Sequence, residues 1–239
     1  MKNPYKTILQ NEGLPYKTLL GTSSTKTVKG EKLGFLTAIL YLTPDDNICS
    51  MARLAGCMEG CLYSSGRGAF NSVQNARKAK TDFWYANQRA FLLSLCADVW
   101  SLQRSAAKSN QKLLVRPNGT SDIPWENFKV LDDQTIFQLF PDVQFYDYTK
   151  INNRKVAHIP NYHLTFSKAD GNDMDTRLAI SNGMNVAVVF HKVPENYLGR
   201  PVINGDETDL RFLDPKGVIV GLKAKGKAKK DLSGFVVTA

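Results

Sequence analysis

The chain has 239 residues, which is enough for one large domain or two small ones and for a core that needs no disulfide bonds. Hydrophobic residues make up 43% of the sequence and charged residues 22%, as in ordinary globular proteins. The four cysteines, the lack of an apolar secretory leader and the shortness of every apolar run argue against secretion and against a membrane span, and they indicate a reducing cytoplasm.

Positive charge is concentrated near the C-terminus. The formal net charge is +9, and residues 216–230 contain six lysines and no acid. A lysine-rich tail of this kind (residues 222–239) is typical either of non-specific contact with nucleic acid through phosphates or of a solvated chain end, and both interpretations stay open. The tail is expected to be dispensable for folding because it has little apolar surface to bury.

Three of the four cysteines, Cys49, Cys57 and Cys61, fall within thirteen residues. A strand-like run at residues 35–42 leads into this glycine-rich stretch, which predicts a loop at the carboxyl end of a first β-strand. Thiolates are soft ligands that suit iron–sulfur clusters and zinc, and three thiolates leave one iron of a four-iron cluster free for another ligand. The sequence therefore favours a [4Fe–4S] cluster on these cysteines. A structural zinc site and three buried small side chains are the alternatives.

Apolar runs separated by helical or long connections predict an α/β fold. Residues 1–30 form an expected N-terminal arm with little regular structure, and residues 31–239 form a single domain. A strand at residues 33–43 precedes a helical region over residues 71–108, where Cys96 lies on the apolar face and is expected to pack in the core. Further strands are predicted at residues 112–116, 143–149, 162–167, 185–191 and 217–222, with a short helix at 175–181 and an edge strand at 235–237. The result is a mainly parallel sheet of six strands.

Polar residues recur where the strands are predicted to end. The turn 118–122 follows the second strand, and Asp147, Ser167 and His191 stand near the ends of the next three. Because the carboxyl ends of parallel strands in a barrel face the same side, these residues are expected to surround one cavity together with the cysteine loop. Unrelated polar turn residues are the alternative.

The order of strand, cysteine loop, helix and repeating strands resembles the radical S-adenosylmethionine (SAM) superfamily. The resemblance implies a partial (βα)6 TIM-like barrel in which Cys49, Cys57 and Cys61 hold a [4Fe–4S] cluster and SAM binds across the strand ends. It implies that Ser167 meets the ribose of SAM and that the turn after the second strand holds its amino group. The residues of that turn are Asn118, Gly119, Thr120, Ser121 and Asp122. The cysteine spacing here is C-x7-C-x3-C, whereas the superfamily usually has C-x3-C-x2-C.

Four blocks of sequence are similar to the bacteriophage gene product 88 group. They are the cysteine stretch and residues 116–122, 145–150 and 162–167. The resemblance covers about residues 30–225, and for a phage-encoded protein it implies the cytoplasm of the host bacterium.

Two functions follow from these patterns. The first is a radical SAM-type enzyme that cleaves SAM and acts on a substrate that the sequence does not name, with Asp147, His191 and Asp214 as polar contacts to substrate or cofactor. The second is a non-catalytic metal-binding phage accessory protein, in which Cys96 or a carboxylate closes the metal site and the basic tail binds nucleic acid or a host protein.

Overall fold

The computed structural model describes residues 1–22, 30–51 and 66–238, so that Cys57 and Cys61 lie outside the described residues. These residues form a mixed α/β fold around one sheet of ten strands, mostly parallel and not closed. The strands are β1 (Leu20–Gly21), β2 (Phe35–Leu40), β3 (Lys112–Arg116), β4 (Gln144–Thr149), β5 (Tyr162–Ser167), β6 (Val186–Phe190), β7 (Asn196–Tyr197), β8 (Arg200–Asn204), β9 (Ile219–Lys223) and β10 (Val236–Val237). The α-helices are α1 (Pro4–Asn11), α2 (Asn71–Ala86), α3 (Gln88–Lys108), α4 (Ile136–Leu139) and α5 (Asp173–Ser181).

The strand order is β1-β2-β3-β4-β5-β6-β9-β8-β7, with β10 paired to β6. In the order of the sheet, every pairing from β2 to β8 is parallel. The outermost strands, β1 and β7, are antiparallel to their neighbours β2 and β8. The five strands β2 to β6 lie side by side in chain order. Their carboxyl ends therefore meet at one edge of the sheet, which we call the carboxyl edge.

The helices pack against one face of the sheet. Buried side chains of β2 to β4, such as Leu40, Val115 and Phe145, share a core with Phe91 and Leu95 of α3. The α5 helix extends this layer through Ala179, which packs with buried residues of β5 and β6. Right-handed crossovers that all step in one direction place their helices on the same face, which accounts for this layer.

The opposite face of the sheet is covered by an irregular segment, residues 205–214, which we call the crossing segment. Its Leu210 packs with Leu114 of β3 and Tyr146 of β4. Its Asp209 accepts a hydrogen bond from Arg116 Nη1 at 3.0 Å and lies 3.3 Å from the Tyr148 hydroxyl. The crossing segment thus buries both the apolar and the charged side chains of this face.

The N-terminal arm was expected to lack regular structure, and this expectation is wrong for residues 4–11. The Asn3 side chain accepts hydrogen bonds from the backbone N–H groups of Tyr5 and Lys6 and so caps α1. Tyr5 and Leu9, one turn apart, are buried against the core. Tyr5 and Leu9, with the partly buried Ile8 beside them, anchor a short helix that packs on α3.

The basic tail is joined to the sheet rather than free. Val236 is 5% exposed and pairs with Val189, and the pairing continues from Val237 to Phe190. Because β9 occupies one side of β6 along its whole length, β10 lies on the other side, beyond the point where the pairing of β5 with β6 stops. The expectation of a dispensable tail is therefore corrected, because its end supplies a buried valine and a strand.

The structure confirms most of the predicted elements. Strands β3 and β5 have the predicted bounds, and the helical region of residues 71–108 divides at Asn87. Cys96 is fully buried in the core as predicted, and burial raises the pKa of its thiol. In the described part of the chain, no helix combines the length and the apolar character needed to cross a membrane.

Candidate functional site

Cys49 lies at the carboxyl edge, in the segment that follows β2. Its backbone N–H donates to the Asp45 carbonyl at 2.8 Å, which folds the segment into a turn. Its Sγ lies 3.7 Å from the Thr120 carbonyl, in the turn that follows β3. The first cysteine of the predicted cluster therefore contacts the predicted SAM-binding turn. Within the described ranges, no group of three His, Cys, Asp or Glu side chains is arranged to hold a metal ion.

The turn of residues 118–122 runs along the segment after β2. The Gly119 N–H donates to the Leu40 carbonyl at 2.8 Å, and the Asp122 N–H donates to the Ile48 carbonyl at 2.9 Å. The Thr120 hydroxyl donates to the Leu42 carbonyl at 2.5 Å. Gly119 is required because a Cβ there would lie 2.6 Å from the Leu40 carbonyl oxygen. The two loops are therefore tied together by their backbones.

Asn118 and Asp147 are the centre of a buried hydrogen-bond network. The Asn118 backbone N–H donates to Asp147 Oδ1 at 2.9 Å, and its side-chain amide donates to Asp147 Oδ2 at 3.1 Å. The Asn118 Oδ1 accepts hydrogen bonds from the Ser121 hydroxyl, the Ile123 N–H and the Trp125 indole N–H. Asp147, in the middle of β4, thus fixes the turn after β3.

The Asp147 carboxyl group is 0% exposed. Burial raises its pKa to about 7, and the opposing effects of Arg116, Arg154 and the hydrogen bonds from Asn118 and Tyr162 are smaller. The Tyr162 hydroxyl donates to Asp147 Oδ2 at 2.9 Å. The Arg116 Nε lies 4.0 Å from Asp147 Oδ1. A carboxyl pKa raised in this way occurs both in active-site acid–base groups and in buried structural ion-pair networks.

Arg154 joins the network from the connection between β4 and β5. Its side chain is 2% exposed and makes a bidentate pair with Glu126 at 2.9 and 2.6 Å. It also reaches Asp122 at 3.3 Å and donates to the Tyr162 hydroxyl at 2.8 Å. Sequence reasoning missed Arg154 because it lies in an irregular stretch with no periodicity. A charged residue in such a stretch gives no local signal of burial.

Ser167 and His191 also lie at the carboxyl edge. Lys150 connects Ser167 to the network, since its Nζ lies 3.1 Å from the Ser167 hydroxyl while its backbone N–H donates to Asp122 at 2.7 Å. The His191 N–H donates to the Val237 carbonyl at 3.1 Å, and its side chain is half-buried. The predicted strand-end residues are therefore on one side of the sheet.

Asp214 is not brought to this edge. It precedes β9, and the adjacent Pro215 carbonyl accepts a hydrogen bond from Asn185, which precedes β6. Residues that precede parallel strands lie at the opposite edge from residues that follow them. Asp214 instead pairs with Arg211 of the crossing segment at 3.3 Å.

An open pocket of about 330 Å³, lined by residues of polar type, lies beside the segment that follows β2. Thr43 and Asp45 line it from that segment, and Lys78, Asp82 and Tyr85 line it from α2. The Tyr85 hydroxyl lies 2.8 Å from both carboxylate oxygens of Asp45, whose carbonyl accepts from the Cys49 N–H. The pocket therefore shares Asp45 with the turn that carries Cys49.

Comparison with known families decides where the chain belongs. The family model described as gene product 88 matches residues 17–239. The chain belongs to the gene product 88 family. The match includes the network of Asn118, Asp147 and Arg154 and all three clustered cysteines. No curated protein and no solved structure matches the chain.

Proposed function

We propose that this member of the gene product 88 family binds an iron–sulfur cluster through Cys49, Cys57 and Cys61. The observation that carries the proposal is the contact of Cys49 Sγ with the Thr120 carbonyl at the carboxyl edge. The other two cysteines follow eight and twelve residues later in the chain. Three thiols in one loop are a donor set that fits iron–sulfur clusters, and the half-buried Cys49 is accessible, unlike the fully buried Cys96.

The arrangement of the sheet supports a partial barrel of the radical SAM type. Strands β2 to β6 are parallel and in chain order, and their helices cover one face. This is the arrangement of a barrel wall, whereas a doubly wound sheet has helices on both faces. We further infer a cytoplasmic location, because the thiols must stay reduced to bind iron.

We propose SAM as the ligand of this site. A four-iron cluster on three thiolates supplies an open coordination position and one-electron chemistry when bound. The side chains of Asn118, Thr120 and Ser121 form hydrogen bonds within the protein. In the turn 118–122 these side chains therefore hold the backbone in place. The Ser167 hydroxyl accepts from Lys150 Nζ and keeps its own proton for donation to a ligand, and the pocket beside Asp45 is lined by polar residues.

The test is anaerobic purification with metal analysis, followed by titration of the reduced protein with SAM. We expect the electron paramagnetic resonance spectrum of the reduced cluster to change as SAM is added. Ser167→Ala should weaken the SAM affinity about tenfold through the loss of one hydrogen bond, and Ser181→Ala, an exposed serine on α5, should not. If the spectrum does not change when SAM is added, the proposal of a SAM-binding enzyme is contradicted, whereas the proposal of an iron–sulfur cluster is unaffected.

A non-catalytic metal-binding protein is the second candidate. It is favoured by the saturation of the Asn118 amide, whose oxygen and nitrogen both bond within the protein, as in a rigid structural element. One zinc per chain without iron in the purified protein would support this candidate over the first.

A further inference from the structure

A lysine follows or ends each of four parallel strands of the sheet. Lys150 follows β4, Lys168 follows β5, Lys192 follows β6 by two residues, and Lys223 is the last residue of β9. Because β4, β5, β6 and β9 are adjacent and parallel, these lysines all stand at the carboxyl edge.

The C-terminal segment adds lysines to the same edge. The Ala224 N–H donates to the Phe190 carbonyl at 2.9 Å, and the His191 N–H donates to the Val237 carbonyl at 3.1 Å. Residues 224–237 are therefore held at the carboxyl end of β6 at both of their ends. The 3-10 turn Gly226–Lys230 lies between these anchors. We call the combined set the lysine rim: Lys150, Lys168, Lys192, Lys223, Lys225, Lys229 and Lys230.

Part of the rim is neutralised within the protein. Lys168 pairs with Asp173 at 2.8 Å, and Lys225 pairs with Asp206 at 2.5 Å. Other acids near the tail are Asp231, which accepts from the Val236 N–H, and Asp170, which lies against Gly234. The rim lysines that are exposed and form no ion pair among the described residues are Lys192, Lys223, Lys229 and Lys230.

We propose that the lysine rim binds the phosphodiester backbone of a nucleic acid. Among the described residues, the exposed, unpaired lysines at the strand ends are Lys192 and Lys223, on the adjacent strands β6 and β9, which are about 4.8 Å apart, and Lys229 and Lys230 extend this charge along the C-terminal segment. A duplex strand carries one phosphate about every 3.4 Å of its axis, so a row of charges spaced in this way suits a chain of phosphates better than a single small anion. The exposed aromatic residues of the described chain, Tyr16, Phe70 and Tyr85, precede β3 and are not in the rim.

Binding through this surface is electrostatic and independent of sequence. Lysine ammonium groups contact phosphates as point charges, and base reading needs side chains that reach base edges or stack on bases. The rim shares the carboxyl edge with Cys49, so a bound nucleic acid lies on the side of the sheet that carries the proposed cluster. The proposal goes beyond the cluster and does not depend on it.

The test compares charge reversals at the two edges of the sheet in the full chain. One variant carries Lys192→Glu, Lys229→Glu and Lys230→Glu. The matched control carries Lys32→Glu, Lys112→Glu and Lys216→Glu, three exposed lysines at or before the amino ends of β2, β3 and β9. Both variants change the net charge equally. Affinity for labelled mixed-sequence duplex DNA, single-stranded DNA and single-stranded RNA is measured by fluorescence anisotropy over a range of salt concentrations, and melting curves establish that both variants fold.

We expect the rim variant to lose at least tenfold in affinity and its salt slope to fall by about two to three, since each lost phosphate contact contributes about 0.7 to 0.9. The control should keep its affinity within about threefold. Comparison of the affinities of the unaltered chain for the three nucleic acids identifies the preferred polymer. Equal losses in both variants, or no binding of the unaltered chain to any of the three at low salt, would overturn the proposal. Cys49→Ala should leave this affinity unchanged, which separates failure of the rim from failure of the cluster.

Discussion

Asp147→Ala is expected to lower the free energy of unfolding by about 4 kcal/mol, because removing one partner of a buried, hydrogen-bonded ionic network leaves the others uncompensated. The substitution would remove the acceptor of three hydrogen bonds, which are donated by the Asn118 backbone N–H, the Asn118 side-chain amide and the Tyr162 hydroxyl. Urea denaturation at pH 8 measures the loss.

Thr165→Val is the matched control for Asp147→Ala. Thr165 lies on the adjacent strand and is also 0% exposed, but its hydroxyl has no hydrogen-bond partner among the described residues. Replacing it with an isosteric apolar residue should change the stability by less than about 1 kcal/mol. A similar small effect for Asp147→Ala would contradict the central role given to the Asp147 network.

The raised pKa of Asp147 has a consequence for the pH dependence of stability. Its folded value of about 7 lies above the ordinary value of 3.8, so the folded state binds the proton more tightly than the unfolded state between these values. The stability that comes from proton binding by Asp147 is therefore fully present below about pH 4 and is lost as the pH rises through 7, whereas the urea experiment at pH 8 measures the hydrogen bonds of its carboxylate. Asp147→Asn, whose amide does not titrate, should flatten this part of the pH profile.

Gly119→Ala is expected to destabilise the fold by about 3 kcal/mol, as an overpacked site that cannot relax without moving backbone. The added Cβ would lie 2.6 Å from the Leu40 carbonyl oxygen and 2.7 Å from side-chain atoms of Ile39 and Tyr41. The loop would have to move and give up the Gly119 to Leu40 hydrogen bond. Thermal denaturation checks the loss, and the same displacement should lower the iron bound per chain.

The control for this substitution is Gly21→Ala on the edge strand β1. The nearest atom to a Cβ at Gly21 is the Ile39 carbonyl oxygen at 3.9 Å, an ordinary van der Waals distance. We expect a change within about 0.5 kcal/mol for this control. If Gly119→Ala were equally mild, the close approach of the two loops would not constrain the site.

Much of the sheet could be predicted because its strands are buried. Apolar runs such as Phe35–Leu40 are recognisable without knowledge of their partners, and their parallel pairing follows from the long connections between them. The α1 helix could not be predicted, because Tyr5 and Leu9 are its only buried residues. In the tail, the strand at residues 235–237 could be predicted, but the burial of Val236 could not, because it depends on a pairing with β6, almost fifty positions earlier.

The convergence of Asn118, Asp147 and Ser167 could be predicted from strand direction alone. By the same principle Asp214, which precedes β9, lies at the other edge. Arg154 and Asp209 could not be predicted, because both are in irregular connections and their partners are distant in sequence, up to 93 residues for the Asp209–Arg116 pair. Sequence patterns report local periodicity, whereas buried charge pairing is decided by tertiary contacts.

The most direct test of the iron–sulfur assignment is the iron, sulfide and zinc content of anaerobically prepared protein and of its four single cysteine-to-alanine variants. We expect about four iron and four sulfide ions per unaltered chain, as a [4Fe–4S] cluster requires. Cys49→Ala, Cys57→Ala and Cys61→Ala should each lose the cluster, whereas Cys96→Ala should keep it because Cys96 is buried in the helical core. One zinc per chain with no iron or sulfide, or a cluster that survives each of the first three substitutions, would contradict the assignment.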